Sequence, residues 1–153
     1  MFGSKRRLWR VFLYHVLIVL LSFLAAAAYA FIIFRNRYLE KSREDLLSQA
    51  ILFEHILVNS PDSANPQKID GMCKEIGNHT PVRFTVVLPN GRVIGDSMTD
   101  PSAMENHIDR PEIRRALNGE NFVVTRFSFT LNEPMMYAAA PLRKNGKVIA
   151  AIR

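Results

Sequence analysis

The sequence predicts an α+β chain: an N-terminal transmembrane helix continuing into a long helix, then a five-stranded antiparallel sheet with flanking helices. Three observations predict it. Residues 11–34 contain no Asp, Glu, Lys or Arg. No Gly or Pro interrupts 35–59. Beyond residue 80, five short apolar runs rich in β-branched residues are separated by Gly, Pro and Asn turn signals.

The apolar run from Val11 to Phe34 is 24 residues long. As a helix it measures about 36 Å at roughly 1.5 Å per residue, against a bilayer core of about 30 Å. It is therefore expected to span a membrane with some tilt. The net charge of +6 sits mostly beside it, because Lys5, Arg6, Arg7 and Arg10 supply four of the six charges. From Arg35 onward 16 basic residues face 14 acidic ones. The basicity thus suits anionic membrane lipid rather than nucleic acid, which is not an expected partner. Lys and Arg number four before the span and four after it (Arg35, Arg37, Lys41, Arg43), so the positive-inside count is a tie. The short head and the larger domain behind the span fit a cytoplasmic N-terminus.

A cleaved signal peptide is the rival reading, with Ala28-Tyr29-Ala30 as its cleavage site. Cleavage there would leave Phe31-Ile32-Ile33-Phe34 exposed at a new terminus, which favours the uncleaved anchor. His15, five positions into the span, is expected to make an interfacial or inter-helix hydrogen bond. The expected organisation is a cytoplasmic basic head at 1–10, a transmembrane helix at 11–34 and an extracytoplasmic domain at 35–153, including a long helix over 35–59.

Along that long helix, Leu39, Leu46, Ala50, Phe53 and Leu57 are spaced 7, 4, 3 and 4 apart and form one stripe. The stripe packs on its own domain's sheet in one reading. In the other, Leu46, Ala50, Phe53 and Leu57 form the seam of a parallel homodimer, and both can hold at different heights of the helix. Asn59-Ser60-Pro61 ends the helix, and 59–66 is loop. Ile69 to Ile76 is a short helix with Gly77 as its stop. Val82 to Leu88 and Arg92 to Asp96 form a hairpin across Pro89-Asn90-Gly91. Residues 97–109 are polar loop. Pro111 opens a helix that runs from Glu112 to Leu117 and stops at Asn118-Gly119. Strands follow at Phe122 to Thr130, Met135 to Leu142 and Lys147 to Ile152, with turns at Asn132-Glu133-Pro134 and Lys144-Asn145-Gly146. Two strands, a helical crossover and a three-stranded meander describe a PAS-like sheet.

Several stretches resemble a known family. Asn90-Gly91-Arg92-Val93-Ile94-Gly95-Asp96-Ser97 resembles the G-x-V-x-x-D-S hairpin of extracytoplasmic sensor domains. Asp100-Pro101-Ser102-Ala103-Met104-Glu105-Asn106-His107, then Arg110-Pro111-Glu112-Ile113 and Ala116-Leu117-Asn118-Gly119, is similar to sensor kinases of the phosphate-regulon type. So are Arg126-Phe127-Ser128, the run from Met136 to Leu142 with Tyr137, and Gly146-Lys147-Val148-Ile149. The resemblance implies a periplasmic or extracellular PAS-like (Cache-type) input domain of a two-component sensor histidine kinase in a bacterial inner membrane. Such proteins continue into a second membrane helix, a HAMP relay and a kinase core, none of which lies within these 153 residues. A response regulator is implied as a partner only through that kinase core. The alternatives are the outer domain of a methyl-accepting chemotaxis receptor and an anchored binding protein without signalling output.

No pair of residues resembles a nucleophile and its base, no glycine-rich nucleotide box appears, and no catalysis or cofactor is expected. His55 lacks the acidic residue that directly follows a phosphoacceptor histidine. Cys73 is the single cysteine, so it forms no internal disulfide and is expected to be a partly buried small apolar side chain. Asp96, Asp100, Glu105, His107 and Asp109 form a polar cluster, but their spacing matches no metal motif. The sharper candidates are His107, Arg110 and Arg126, with Tyr137 on the neighbouring strand. His107 and Arg110 flank the start of the crossover helix, where free backbone N–H groups favour anions. Arginine suits the planar capture of a carboxylate or phosphate, so the expected ligand is a small anion. The blander reading has Arg110 paired with Asp109 or Glu112 and Arg126 in solvent, or Arg126 neutralised by Asp96, Asp109 or Glu112.

Overall fold

A computed structural model describes residues 2–60, 65–128 and 132–153, with the side chains of 2–6 left aside. The elements are α1 (Phe2–Asn59), α2 (Pro66–His79), β1 (Thr85–Val87), β2 (Val93–Asp96), a single 3-10 turn (Pro101–Ala103), α3 (Pro111–Leu117), β3 (Phe122–Ser128), β4 (Glu133–Lys144) and β5 (Lys147–Ile152). The chain divides into two units, 1–41 and 42–153.

The first unit is the N-terminal part of α1. Its apolar side chains are exposed throughout, from Val11 to Phe34, and α1 is the one helix among the described residues long and apolar enough to cross a membrane. Within it, His15 Nδ1 donates to the Val11 carbonyl oxygen at 2.7 Å, one turn back. The bond expected across an interface or between helices is therefore satisfied inside the helix itself.

The second unit is built on an antiparallel sheet of five strands in the order β2-β1-β5-β4-β3. Period-two alternation sends successive side chains to opposite faces, and each face has its own core. On one face, Ala50, Phe53 and Leu57 of α1 and Ile69 and Cys73 of α2 meet Phe84, Val86, Ile94, Ala140, Leu142, Ala150 and Ile152. On the other, Ile113 and Ala116 of α3 meet Val87, Val93, Ala139 and Ala151. Phe53 lies edge-on to Phe84, ring centroids 5.1 Å apart.

The stripe on α1 is thus used inside the chain. Ala50, Phe53 and Leu57 are 3%, 1% and 0% exposed, and only Leu46 of the four seam candidates remains half-buried. The dimer seam expected on these residues gives way to intradomain packing, because one helical face cannot bury the same side chains twice. α1 ends where the sequence places its end: the Asn59 side chain donates to the His55 carbonyl at 2.8 Å. Pro61 lies outside the described residues.

α2 is longer than the sequence indicates. The Asn65 side chain accepts from the Gln67 N–H at 3.0 Å and Pro66 occupies the first helical position. At the other end the helix passes through Gly77 to His79. Gly77 is not a stop. A Cβ there would collide with the Cβ of Ser97, so the glycine lets the helix lie against the chain leaving β2. Gly95 serves likewise: a Cβ would sit 2.9 Å from Cys73 Sγ and 3.0 Å from Ile69 Cγ2.

The β1–β2 hairpin turns on Gly91, at φ +82°. The β4–β5 hairpin turns on Asn145 and Gly146, at φ +52° and +77°, the paired left-handed conformation of a type I′ turn. β4 starts earlier than expected, taking Glu133 and Pro134 out of the turn and into pairing with Ser128 and Phe127. Phe129 and Thr130, expected at the end of β3, lie outside the described residues.

Candidate functional site

The face of the sheet under α3 carries the candidate residues. Arg126 on β3 and Tyr137 on β4 share this face, and Val124 is the direct partner of Tyr137 in the ladder. The Arg126 guanidinium stacks on the Tyr137 ring, its carbon 3.9 Å from the centroid. The Arg153 guanidinium approaches the same ring at 5.3 Å. An aromatic face holds a cation by its quadrupole and fixes both guanidinium planes.

α3 brings the counter-charge. Pro111 opens the helix and Ile113 and Ala116 anchor it in the core, which turns Glu112 down onto the sheet with no exposed surface. Arg126 Nη2 donates to Glu112 Oε1 at 3.1 Å, and Arg153 Nη1 lies 3.7 Å from the same oxygen. Arg126 is therefore neither in solvent nor paired with Asp96 or Asp109. Of the acids the sequence offers as partners, Glu112 takes it.

His107 is 6% exposed. Its backbone N–H donates to the Gly91 carbonyl at 2.8 Å, and the preceding Asn106 donates to the Asn90 carbonyl while accepting from the Ile108 N–H. The 104–110 segment is thus tied to the tip of the first hairpin. A Cβ on Gly91 would collide with the Asn106 side chain. His107 Nδ1 lies 2.8 Å from the Glu105 carbonyl; a carbonyl only accepts, so Nδ1 carries the proton. Burial, followed by the positive charge of Arg153, pushes the imidazole below its ordinary value, and Arg110 adds to the shift. Arg110 caps α3 by position, without a side-chain cap bond, and is half-buried. The structure joins Arg126 and Tyr137 directly and brings His107 into the electrostatic field of Arg153 and Arg110.

The remaining acids have local duties. Asp96 accepts from Arg83 Nε at 3.0 Å, from the Thr85 hydroxyl at 2.8 Å and from the amides of Met98 and Thr99. Burial raises its carboxyl, but these donors, Arg83 foremost, outweigh burial and hold it below the ordinary range. Asp100 caps the 3-10 turn, and Asp109 pairs with Arg114 at 3.3 Å. Arg153 Nη2 donates to Thr85 Oγ1 at 3.2 Å, joining the Asp96 group to the Glu112 group. Burial lowers the pKa of the Arg153 guanidinium against the opposing effect of Glu112.

Glu112 and Arg153 are the members that sequence reasoning did not place among the ligand-binding candidates. The sequence offers Glu112 only as a neutraliser. The signal for Arg153 is the alternation of β5: Ala151 faces α3, so Arg153, two residues on, faces it too.

The fold places the chain among α+β domains built on an open five-stranded antiparallel sheet with flanking helices. Among solved structures, it is similar to the sensor domain of the Vibrio cholerae histidine kinase DctB, at 16% identity and TM-score 0.53 over 74% of this chain and 52% of that one. It is also similar to the ligand-binding domain of the Campylobacter jejuni chemoreceptor Tlp3. That domain is known in complex with 4-methylisoleucine (18% identity, TM-score 0.60, 74% and 50%) and with L-valine (19%, 0.58, 74% and 52%). The chain spans about half the length of these structures. No protein-family model matches it, and no curated protein sequence does.

Proposed function

We propose that the chain is the signal-sensing input module of a membrane-bound two-component sensor histidine kinase. Residues 11–34 hold it in a bacterial inner membrane, N-terminus in the cytoplasm and domain in the periplasm or outside. The observation that carries this reading is the fold shared with the DctB and Tlp3 sensor domains. It is supported by α1, which contains both a run of membrane length and three residues of the domain core. A change of packing on the sheet therefore acts on the helix that enters the bilayer. Arg35, Arg37 and Lys41 stand where lipid headgroups begin. A homodimer formed through α1 leaves Ala50, Phe53 and Leu57 aside, since the core takes them.

The ligand is a small anion bound on the α3 face, where Arg126 and Arg153 outnumber Glu112. The finer placement in the phosphate-regulon type rests on the likeness of residues 96–119 and does not imply that phosphate is bound. The chemoreceptor alternative is favoured by the Tlp3 similarity. The coding sequence after Arg153 separates the two: a HAMP segment and an H-E-x-x-T/N-P box establish the kinase, a methyl-accepting coiled coil the receptor.

The direct test uses the full chain in lipid nanodiscs, with reaction of the single, buried Cys73 as the signal of unfolding. A panel of carboxylates, amino acids, phosphate and uncharged metabolites should contain a compound that raises the unfolding midpoint, by RT ln(1 + [L]/Kd). A flat response across the panel would sink the ligand-sensing reading.

A further inference from the structure

The contact between Arg126 and Glu112 is half of a pair. Arg126 gives Nη2 to Glu112 Oε1 at 3.1 Å. Its Nε, on the same edge of the guanidinium, is buried without a hydrogen-bond partner among the described residues, and so is Glu112 Oε2. A complete arginine–carboxylate fork sets both donors of one edge on both oxygens of one carboxylate. Arg83 gives Nε to both oxygens of Asp96 and Nη2 to Thr99 Oγ1, so the same edge of that guanidinium has a partner for each donor. At Arg126 the edge is left open although Glu112 has no exposed surface and Arg126 only 23%.

Charge points the same way. Arg153 Nη1 stands 3.7 Å from the Glu112 oxygen that Arg126 already holds, so one carboxylate answers two guanidinium groups. Both cations lie against the Tyr137 ring, which orients them without neutralising them. The Asp96 carboxylate is committed to Arg83, and Asp109 to Arg114. One positive charge is left over at the Glu112 group.

Resting on the reading that this face binds a small anion, we propose that Glu112 is a built-in occupant of the anion seat. The ligand is a small molecule with a single carboxylate head, which takes the Nε–Nη2 edge of Arg126 as a full fork while Glu112 withdraws onto Arg153. The guanidinium fork accepts a carboxylate or a phosphate in two oxygens, but a carboxylate fits better because its single charge equals the excess, whereas phosphate brings nearly two. Glu112 then sets the threshold for the signal, because every ligand must compete with it.

The test reads Cys73 labelling during thermal unfolding of the full chain in nanodiscs, at constant ionic strength. Acetate, propionate and benzoate are the probes, and inorganic phosphate is the comparator. In Glu112→Gln the competitor is gone: the midpoint without additive falls, and the carboxylate concentration for half of the response drops by on the order of tenfold relative to wild type. Arg126→Lys, which keeps the charge and loses the fork, abolishes the carboxylate response. If Glu112→Gln shows no cooperative transition, Glu112→Asp, which draws the charge back by one methylene, is read against the same criterion. An equal half-response in wild type and the Glu112 variant overturns the proposal. So does phosphate acting as strongly as the carboxylates, or a carboxylate response that survives in Arg126→Lys. In each of those cases a ligand is still bound, and the sensing reading stands without this one.

Discussion

His107 and Cys73 are the two titratable side chains whose surroundings give direct forecasts. The His107 imidazole is buried and faces the guanidinium groups of Arg153 and Arg110, so its proton leaves more readily in the folded chain than in the unfolded one. As pH falls below about 6.5, the unfolded chain takes up the proton first. The unfolded state then binds more protons, and stability declines with falling pH until the folded value is reached. Denaturation midpoints between pH 7 and pH 5.5 should therefore drop for wild type and flatten for His107→Gln. Cys73 is fully buried, and burial, with the charges of Asp70 and Asp96, pushes its thiol up to about 12. A thiolate-seeking reagent at pH 7.5 should leave it intact in the native chain and modify it fully in denaturant; rapid native labelling would contradict the packing of α2. The residue types of the charged face were visible in the sequence, and Arg126 with Tyr137 proved to be neighbours. The partner of Arg126 was not visible, because the sequence offers three acids and only the fold of α3 selects Glu112.

Among the elements, those with strong periodicity or turn chemistry were legible: the end of α1, the Asn145-Gly146 hairpin and the crossover helix after Pro111. The errors fell where tertiary contact overrode a local rule. Gly77 reads as a helix stop, yet α2 continues through it because Ser97 needs the space. In an open helix Gly→Ala stabilises by about 0.5–1 kcal/mol. Here the sign reverses, and Gly77→Ala should destabilise by about 1–3 kcal/mol through overpacking. Ser97→Gly in the same chain should recover part of that loss, although it also removes the hydroxyl that accepts from the Phe84 N–H at 3.0 Å. The stripe on α1 could not be resolved by spacing, since a heptad seam and a sheet-facing helix share it. Burial decides. Phe53→Ala should cost about 3–5 kcal/mol, and the loss should not change with the density of the chain in the bilayer, as it would if Phe53 lay in a dimer seam.

For the molecule as a whole, the first question is whether the apolar run remains attached. Alkaline carbonate should leave the chain in the membrane fraction with its first thirty residues present; a mature terminus at Phe31 would instead restore the signal-peptide reading. The second question is how the face under α3 can inform α1, which packs on the opposite side of the sheet. Arg143 answers it. At the irregularity between Leu142 and Arg143 the β4–β5 register shifts. There the Arg143 backbone N–H donates to Glu54 of α1 at 3.1 Å, while its guanidinium donates to the Gly119 carbonyl behind α3 at 2.6 Å. One residue works like the rivet of a pair of scissors, with a blade on each side of the sheet. Any tilt of α3 that moves Gly119 is then felt at Glu54, without passing through the bulk of either core. Arg143→Ala pulls one blade off the rivet and leaves the other in place. Hydrogen exchange should accordingly quicken at the end of α3 and stay slow at Phe53 and Glu54, and a ligand that still binds should no longer alter the exchange of α1.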